Sequence, residues 1–241
     1  MIAPKSQWQK PEVALSFLEG VRSAIPGADL QMAIMGKIVE QWCRSPITML
    51  DLGCGDGVLG RYLLDRFPTT QGIFLDFSEP MLAAVRQKVG HLPQAQVRVA
   101  DFGSAEWVEA VADQAAIDVV ISGFAIHHQP DDRKQALYAE IYDRLAPDGV
   151  FLNLEHVASA TPAGEVLFDE FFIDDLYAFH AQTNPTVERE AIADKYYRRD
   201  DKVENILAPV EQQCQWLRDI GFQDVDCFFK TFELALFGGR K

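Results

Sequence analysis

Apolar and polar residues follow two patterns along the first two thirds of the chain: short apolar runs, and longer segments with helical spacing. The apolar runs predict buried strands over Ile47–Gly53, Gly72–Ser78, Gln96–Phe102, Ile117–Ile126 and Pro147–Val157. The segments with helical spacing are Pro11–Ile25, Leu30–Cys43, Gly57–Phe67, Glu79–Val89, Asp131–Leu145 and Val210–Phe222. Asp29 and Ser78 precede two of these helices and are predicted to cap them. Because strand and helix patterns alternate, the sequence predicts an α/β fold with a doubly wound, mostly parallel sheet.

The last third of the chain departs from this alternation. Pro162–Leu207 is polar, rich in aromatic residues and helical in character, and it is too long for a bare loop. After the helix that follows it, the strand patterns Asp224–Lys230 and Phe232–Lys241 come without another helix between them. Two strands so close in sequence are expected to form an antiparallel hairpin at the edge of the sheet.

Composition narrows the class of protein. The chain has 241 residues, of which 48% are hydrophobic, so one large α/β domain can bury its core. No apolar run approaches the roughly 20 residues of a membrane helix, and no membrane partner is expected. The four cysteines show no C-x-x-C pairing, which favours a reduced, cytoplasmic setting. The net charge of −14 opposes binding to a nucleic acid backbone; the run KYYRRDDK is either a solvated face of mixed charge or a local basic patch.

The stretch MLDLGCGDGVLG, from Met49 to Gly60, carries the strongest chemical signal. Counted from Gly55, it has the G-x-G-x-x-G spacing of a dinucleotide-binding turn. Counted from Asp51, it reads D-x-G-x-G-x-G, with an acid inside the strand. With either spacing, a strand, a glycine-rich turn and a helix place backbone N–H groups and a positive helix end beside a ligand.

The charges at this turn help to distinguish the ligands. Asp51 lies at the end of the strand and Asp56 at the start of the helix, where both would repel a pyrophosphate. A like-charge pair about 4 Å apart costs about 4 kcal/mol even at an effective dielectric constant near 20. A cationic ligand reverses the sign, so both acids favour S-adenosylmethionine, which carries a sulfonium and an α-ammonium group.

Acids also end the next two predicted strands. Asp76 is placed to bind both hydroxyls of a ribose, a signal that NAD and S-adenosylmethionine share. Asp101 and Phe102 fit an acid that bonds the adenine amine and an aromatic ring that packs on the base. The sequence therefore predicts a nucleoside site at the carboxyl edge of the sheet.

At these residues the chain resembles the class I S-adenosylmethionine-dependent methyltransferases. The matching pieces, in order, are LDLGCGDG, LDFSEPML, VADF, ISGFAIHH and LAPDGVFL. The resemblance implies a Rossmann-like sheet of seven strands, ending in the antiparallel hairpin, with S-adenosyl-L-methionine as the cofactor. The candidate cofactor-binding residues are Asp51, Gly53, Gly55, Gly57, Asp76, Phe77, Met81, Asp101, Phe102 and Gly123.

The two ends of the chain carry a narrower resemblance. FLEGVRSAIPGADLQMAIM, VENILAPVEQQCQWLRDIGF and CFFKTFELALFGGRK are similar to stretches of carboxy-S-adenosylmethionine synthase, which makes a carboxylated cofactor from S-adenosylmethionine and prephenate. This implies an N-terminal helix that closes over the cofactor, and a homodimer. The GCGDG turn departs from the pattern of that family. The synthase carries an arginine shortly before a Glu-Asn pair; the pair corresponds to Glu204 and Asn205 here, and the arginine to either Arg198 or Arg199. The chain is therefore predicted to transfer methyl groups, with a synthase-like activity in tRNA wobble modification as the alternative.

Methyl transfer from a sulfonium is an in-line displacement that depends on alignment, and a general base adds roughly 10²–10⁴-fold when the acceptor carries a proton. His128 or His127, after the fourth strand, is the candidate base; alternatively the pair only closes the pocket and caps a turn. Their side chains diverge in a strand-to-helix turn, so one of the two is expected to face the pocket. Glu155 is a further catalytic candidate, and His156 is either a substrate contact or a supporting hydrogen-bond partner.

A metal centre built from His127, His128, Glu155 and His156 would lack the ligand spacing of any known type of site, and no metal is predicted.

An insertion after the fifth strand of this fold usually forms a substrate lid, and an arginine there suits a carboxylate. Trp8 is either a cofactor lid or a surface anchor. The aromatic stripe of the insertion is either the core of the lid or a wall for a planar acceptor; its members are Phe168, Phe171, Phe172, Tyr177 and Phe179. The candidate substrate contacts in the insertion are Tyr196, Tyr197, Arg198 and Arg199.

The sequence thus predicts a single domain over residues 1–241, with an N-terminal helical cap at 1–45 and a helical lid at 158–207. The predicted activity is that of a cytoplasmic methyltransferase that acts on a small-molecule acceptor, without direct nucleic-acid binding. A cofactor-binding protein without catalysis is the alternative from another class, and the intact glycines and acids speak against it.

Overall fold

The apolar runs of the sequence form one sheet in the computed structural model, which describes residues 6–16 and 25–241 without the side chains of residues 15, 16, 200 and 201. Its strands are β1 Thr48–Leu52, β2 Gln71–Asp76, β3 Ala95–Val99, β4 Ile117–Gly123, β5 Leu145–His156, β6 Gln223–Thr231 and β7 Leu234–Arg240. Within the described residues they pair in the order β3-β2-β1-β4-β5-β7-β6. Strands β1 to β5 are parallel, and β7 is antiparallel to both β5 and β6. This confirms the predicted fold, including the C-terminal hairpin.

The helices connect and cover the strands. They are α1 Pro11–Ser16, α2 Ala28–Trp42, α3 Val58–Arg66, α4 Glu79–Val89, α5 Asp131–Arg144, α6 Pro162–Ala181, α7 Arg189–Tyr197 and α8 Val210–Ile220. Short 3₁₀ turns occur at Gln7–Gln9, Ala105–Val111, Ile126–His128 and Asp200–Glu204. The later part of the predicted first helix, residues 17–24, lies outside the described residues.

The sheet is covered on both faces, as a doubly wound fold requires. One apolar layer packs Leu50 and Leu52 of β1 against α5, α8 and the 3₁₀ turn Ala105–Val111. The other layer packs Met49 of β1 against α2, α3 and α4. Alternate residues of a strand point to opposite faces, so one buried strand supplies both layers.

Two of the predicted helix caps are absent. Helix α2 starts after Gly27, which has a left-handed φ of 69°, so Asp29 lies inside the first turn. Ser78 occupies the N-cap position of α4 but makes no cap hydrogen bond through its side chain. Its hydroxyl instead donates to the backbone oxygen of Trp8 at 2.6 Å, which ties the N-terminal segment to the sheet edge.

The predicted insertion is helical and consists of α6, α7 and the 3₁₀ turn that follows. It has an apolar cluster of its own, in which Phe168, Phe172 and Tyr196 pack with Leu234 of β7. Tyr177 is 36% exposed, so the aromatic stripe is only partly the core of the insertion. No helix in the described part of the chain is long and apolar enough to cross a membrane.

The carboxyl ends of β1 to β5 meet at one edge of the sheet because these strands are parallel. The sheet order arranges the segments after them in the sequence β3, β2, β1, β4, β5 along that edge. Asp101, Asp76, Gly53, Phe124 and His156 therefore follow one another across the edge, and the candidate site lies there.

Candidate active site

A cavity of about 400 Å³, here called the main cavity, lies at this edge. It reaches from the loop after β3 to the segment after β4. Eight of the predicted cofactor-binding residues line it: Gly53, Gly55, Asp76, Phe77, Met81, Asp101, Phe102 and Gly123. The sequence analysis missed the contributions of Ser6, Ser78, Gly103, Phe124, Ala125, Gln129, Glu204 and Ile206.

The glycine turn between β1 and α3 follows the D-x-G-x-G-x-G spacing. Gly53, Gly55 and Gly57 have left-handed backbone, with φ of 69°, 54° and 77°. A side chain is disfavoured at each of them. Gly60 is an ordinary residue of α3, and a Cβ there would overlap the ring of Phe74. The first three glycines shape the turn, and the fourth lets the helix approach the sheet.

Asp51 is buried beneath the turn, with 1% of its surface exposed. Its Oδ2 accepts a hydrogen bond of 2.9 Å from the backbone N–H of Gly60, near the positive end of α3. Neither Asp51 nor Gly57 is among the described residues that line the main cavity. Both residues hold the turn in place, and their contact with the cofactor stays a prediction.

Asp56 is also compensated, since it forms an ion pair with Lys88 of α4. Both residues line a separate cavity of about 300 Å³, here called the third cavity, between the starts of α2 and α3. Neither acid of the turn lines the main cavity among the described residues, so the charges of Asp51 and Asp56 do not by themselves distinguish the ligand of that cavity.

Asp76, the last residue of β2, lines the main cavity. Its Oδ2 accepts from the backbone N–H of Gly55 at 2.9 Å, and its Oδ1 accepts from that of Ser78 at 2.8 Å. Burial raises the pKa of this carboxyl, and the two N–H groups oppose that change. The carboxylate thus joins the glycine turn to the start of α4 and presents its remaining lone pairs to the cavity.

We expect Asp76→Asn to weaken S-adenosylmethionine binding by about 1.5–3 kcal/mol, or roughly 10- to 150-fold, because it removes charged hydrogen bonds. Calorimetry measures this directly. Asp118 is a matched control, since its Oδ2 accepts from the backbone N–H groups of Ile47 and Thr48 at 2.8 and 2.9 Å at the opposite edge of the sheet. Equal losses of affinity in Asp76→Asn and Asp118→Asn would contradict a direct role of Asp76.

Asp101 and Phe102 lie at the far end of the main cavity. Asp101 is exposed, and its Oδ1 accepts from the backbone N–H of Gly103 at 2.7 Å. Phe102 is buried, and its ring packs beneath the glycine turn, 3.0 Å from where a Cβ on Gly53 would lie. Both residues line the main cavity, and their contact with an adenine stays a prediction.

The rings of His127 and His128 do not diverge as predicted, since their centroids lie 3.9 Å apart, but the two residues line different cavities. His128 lines the main cavity, while His127 lines an adjoining cavity of about 60 Å³, here called the second cavity. His128 Nδ1 donates to the backbone oxygen of Glu204 at 3.3 Å, which leaves Nε2 as an acceptor. That Nε2 is buried without a hydrogen-bond partner in the described structure. Burial lowers the pKa of His128 to about 3, so its imidazole is neutral.

His127 forms a buried pair with Glu155. Its Nδ1 lies 2.5 Å from Glu155 Oε1, and its backbone N–H donates to Oε2 at 3.0 Å. A carboxylate held in this way fixes the proton of His127 on Nδ1, so Nε2 carries the lone pair, and the Asn205 side chain lies within hydrogen-bond reach of the ring. Burial lowers the pKa of His127 and raises that of Glu155 to about 7. Glu155 lines neither cavity among the described residues, so it positions His127 instead of contacting a substrate.

The second cavity gathers several of the predicted substrate contacts. His156, Tyr196 and Arg199 line it, together with Asn205, whose Oδ1 is buried without a partner in the described structure. His156 Nε2 pairs with Glu233 Oε2 at 2.7 Å, a second histidine–glutamate pair beside the first.

The other two predicted contacts in the insertion lie outside this cavity. Tyr197 is 48% exposed, and Arg198 pairs with Asp194 one helical turn earlier. The structure therefore selects Arg199 over Arg198. The Arg199 guanidinium lies 4.9 Å from the centre of the Tyr196 ring, so it is held against an aromatic face beside the cavity.

The N-terminal segment covers both cavities. Glu204 Oε2 accepts from the Ser6 hydroxyl and Oε1 accepts from the backbone N–H of Gln7, each at 2.9 Å. Ser78 holds the Trp8 carbonyl, and the Trp8 side chain lines both the main and the second cavity. Trp8 is therefore part of a lid, as one of the two interpretations of the sequence held. The described residues contain no cluster of three histidine, cysteine or acidic side chains able to hold a metal.

Residues 49–149 match the family model of a methyltransferase domain. A carboxy-S-adenosyl-L-methionine synthase of a Nitratiruptor species is 26% identical over 94% of this chain and 89% of its own length. A trans-aconitate 2-methyltransferase of Variovorax paradoxus is 38% identical over 42% of this chain and 36% of its own length.

Solved structures share the fold. Human N-acetylserotonin methyltransferase in complex with SAM superposes with a TM-score of 0.62 and 15% identity, over 97% of this chain and 57% of that one. An O-methyltransferase family protein from Burkholderia thailandensis has a TM-score of 0.60 and 17% identity, over 86% of this chain and 55% of its own. The chain thus spans a little over half the length of these proteins. These matches confirm the resemblance that the sequence predicts. They also confirm S-adenosylmethionine as the cofactor of the family concerned.

Proposed function

We propose that this chain, a relative of the S-adenosylmethionine-dependent methyltransferases that carries their domain over residues 49–149, transfers a methyl group to a small-molecule acceptor. One observation carries the proposal. The nucleoside-sized main cavity adjoins a second cavity lined by His127, which is paired with the buried Glu155 behind it, so sites for a methyl donor and a proton acceptor lie side by side.

The residues of the main cavity fit the cofactor. Asp101 and Phe102 suit the adenine, Asp76 suits the ribose, and Gly53 and Gly55 suit the chain beyond it. The unpartnered Nε2 of His128 is a buried polar atom that calls for a ligand at this cavity. Along the carboxyl edge, the strands follow one another in the order β3, β2, β1 and β4. The adenine of the bound cofactor therefore lies beside β3 in this proposal, and its sulfonium lies beside β4.

The residues of the second cavity supply what an acceptor needs. S-adenosylmethionine provides an electrophilic methyl group when bound. The Glu155 carboxylate holds His127 with its proton on Nδ1, and His127 Nε2 takes the proton that an acceptor hydroxyl or amine loses. Trp8 and the insertion exclude water from the junction, which keeps the acceptor in line with the donor.

The acceptor is expected to be small and to carry a negative group. The volume of the second cavity, about 60 Å³, admits only a few non-hydrogen atoms. Arg199 supplies a planar cation and Asn205 an amide at its wall, which together suit a carboxylate. The protein's net charge of −14 opposes a nucleic-acid acceptor.

A second candidate is an activity like that of carboxy-S-adenosylmethionine synthase. The relative with that name aligns over 94% of this chain, well beyond the methyltransferase domain, and Arg199 lies where a carboxylate is expected. The GCGDG turn and the His127–Glu155 pair favour methyl transfer instead.

Mass spectrometry separates the two candidates. The protein is incubated with S-adenosylmethionine labelled in its methyl group and with the small-molecule fraction of a cell extract. Label in a new small molecule supports methyl transfer, whereas a carboxylate gained by the cofactor supports the synthase. Tight NAD binding without any response to S-adenosylmethionine would contradict both. A homodimer and a cytoplasmic location stay predictions, and sedimentation of the full chain tests the first.

A further inference from the structure

Phe124, the first residue after β4, lies where three cavities meet. It lines the main cavity, the second cavity and the third cavity. Trp8 is the other described residue that lines both the main and the second cavity. The boundary between a bound cofactor and an acceptor therefore consists of these two aromatic side chains.

The backbone of Phe124 is in an unusual conformation. Its φ is 53°, in the left-handed region that residues with a side chain rarely adopt. The backbone N–H donates to the oxygen of Leu154 in β5 at 2.8 Å, which holds the residue in this conformation. A strained conformation at a cavity junction is typical of a residue whose side chain must point in one direction.

The strain does not follow from the turn alone. Gly123 directly precedes Phe124, yet the left-handed conformation falls on the phenylalanine. The ring also packs against both the layer under the glycine turn and the cluster of the insertion. Its position is therefore fixed from two sides, by the sheet and by the lid.

The ring separates spaces of very different size. The second cavity has about 60 Å³ and the third about 300 Å³, and the third reaches Lys88 and Asp56 behind the glycine turn. Without the ring, the junction would open into both. A bulky transferable group on the cofactor, or a bulky acceptor, would then fit at the junction, from which the Phe124 ring excludes it.

We propose that Phe124 is the specificity-determining residue of this site and limits the size of the group that the cofactor can carry to the junction. The inference rests on the proposed function, because it places the sulfonium end of S-adenosylmethionine beside β4. It goes beyond that function by assigning selection of the transferred group to one side chain and its left-handed backbone.

The test uses cofactor analogues and needs no knowledge of the acceptor. Calorimetry measures the affinity of the full chain for S-adenosylmethionine and for its analogue with a propargyl group in place of the methyl. An extra methylene in a closed pocket changes affinity by about 10- to 200-fold, so we expect at least that preference for S-adenosylmethionine in the unaltered protein. Phe124→Ala and Phe124→Gly are expected to reduce the preference by roughly 10-fold or more.

Phe232 is the matched control. It is also a phenylalanine with a left-handed φ, of 50°, but it lies in the turn between β6 and β7 and is 43% exposed. Phe232→Ala keeps the left-handed strain and Phe232→Gly relieves it, as at Phe124, and both are expected to keep the full preference. Phe124→Leu removes the ring and part of its volume, and it is expected to lose part of the preference. If the smaller variants fail to unfold cooperatively on heating, this partial loss in Phe124→Leu carries the comparison with Phe232→Leu.

The outcomes are distinct. A preference that falls in the Phe124 variants and not in the Phe232 variants supports the proposal. An unchanged preference in all Phe124 variants, or no preference in the unaltered protein, overturns it while leaving the proposed function intact. If the unaltered protein binds neither compound, the proposed function itself is wrong and this inference falls with it.

Discussion

Glu155→Gln lowers kcat for methyl transfer by an expected 10²–10⁴-fold, roughly 2.7–5.5 kcal/mol, with little change in cofactor affinity. The buried carboxylate accepts from His127 Nδ1 and from the backbone N–H groups of His127 and His156. A glutamine presents an NH₂ group to donors that need an acceptor, so His127 loses its fixed tautomer. Steady-state kinetics with the acceptor found by labelling measures the effect.

The pH profile of this reaction gives a second readout. Burial raises the pKa of Glu155 to about 7, so the carboxylate form is complete only above that pH. Activity is therefore expected to fall as the pH drops through about 7, and this step is expected to disappear in Glu155→Gln. A purely structural role of Glu155 would leave the step in place.

The neighbouring pair provides the comparison. Glu233 is as deeply buried as Glu155 and holds His156 through Nε2. Glu233→Gln breaks a similar pair, and we expect a smaller loss, of at most roughly 10-fold, with the pH step retained. Equal losses in both variants, each with an unchanged pH profile, would contradict the assignment of His127 as the base.

Gly57→Ala is expected to destabilise the fold by about 2–5 kcal/mol. The left-handed backbone costs an alanine roughly 1–2 kcal/mol, and overpacking adds about 1–3 kcal/mol. The new Cβ would lie 2.6 Å from Val85 Cγ2 and 3.1 Å from the Phe74 ring, both in the buried layer beneath the turn. Unfolding in urea, monitored with and without S-adenosylmethionine, measures the loss.

Gly27 isolates the two contributions. It precedes α2 as Gly57 precedes α3, with φ of 69° against 77°. A Cβ at Gly27 meets nothing closer than Phe229 Cζ at 3.7 Å, which is an ordinary contact. Gly27→Ala should therefore cost only the backbone contribution of about 1–2 kcal/mol. If both variants lose the same stability, close packing beneath the turn is not what requires glycine at position 57.

The strand pattern was predictable because both faces of the sheet are buried. A central strand with no exposed residue, such as β1, reads as an apolar run whatever its neighbours are. The hairpin was predictable from the short distance between two such runs. Helix caps were less predictable, since Ser78 uses its hydroxyl for a contact with Trp8, 70 residues away.

Two acids at strand ends show where sequence reasoning reached its limit. Asp76 ends β2 and opens onto the main cavity, whereas Asp51 lies one residue before the end of β1. Since side chains alternate along a strand, Asp51 shares the face of Met49, which is the face covered by α3. Asp51 pairs in register with Phe74, so Asp76 lies on the same face but two residues nearer the carboxyl edge, beyond the helix. The sequence shows the alternation but not this register.

The hydrogen bonds that hold the lid could not be predicted from the sequence. Glu204 binds Ser6 across 198 residues, and no local pattern links them. The choice between Arg198 and Arg199 depends on where α7 ends, at Tyr197, and helix ends are the least certain feature of a sequence pattern.

The position of β7 between β5 and β6 has a consequence for synthesis of the protein. Glu155 and His156 pair in register with Ala235 and Leu234, so the strand that bears them keeps an open edge until residues 234–240 have left the ribosome. The partner of His156, Glu233, arrives with the same segment. The nascent chain can complete its parallel strands early, but the edge of β5 stays unpaired until this late strand inserts. A chain stalled before that point exposes an unpaired strand edge beside the candidate site, where it can pair with another chain.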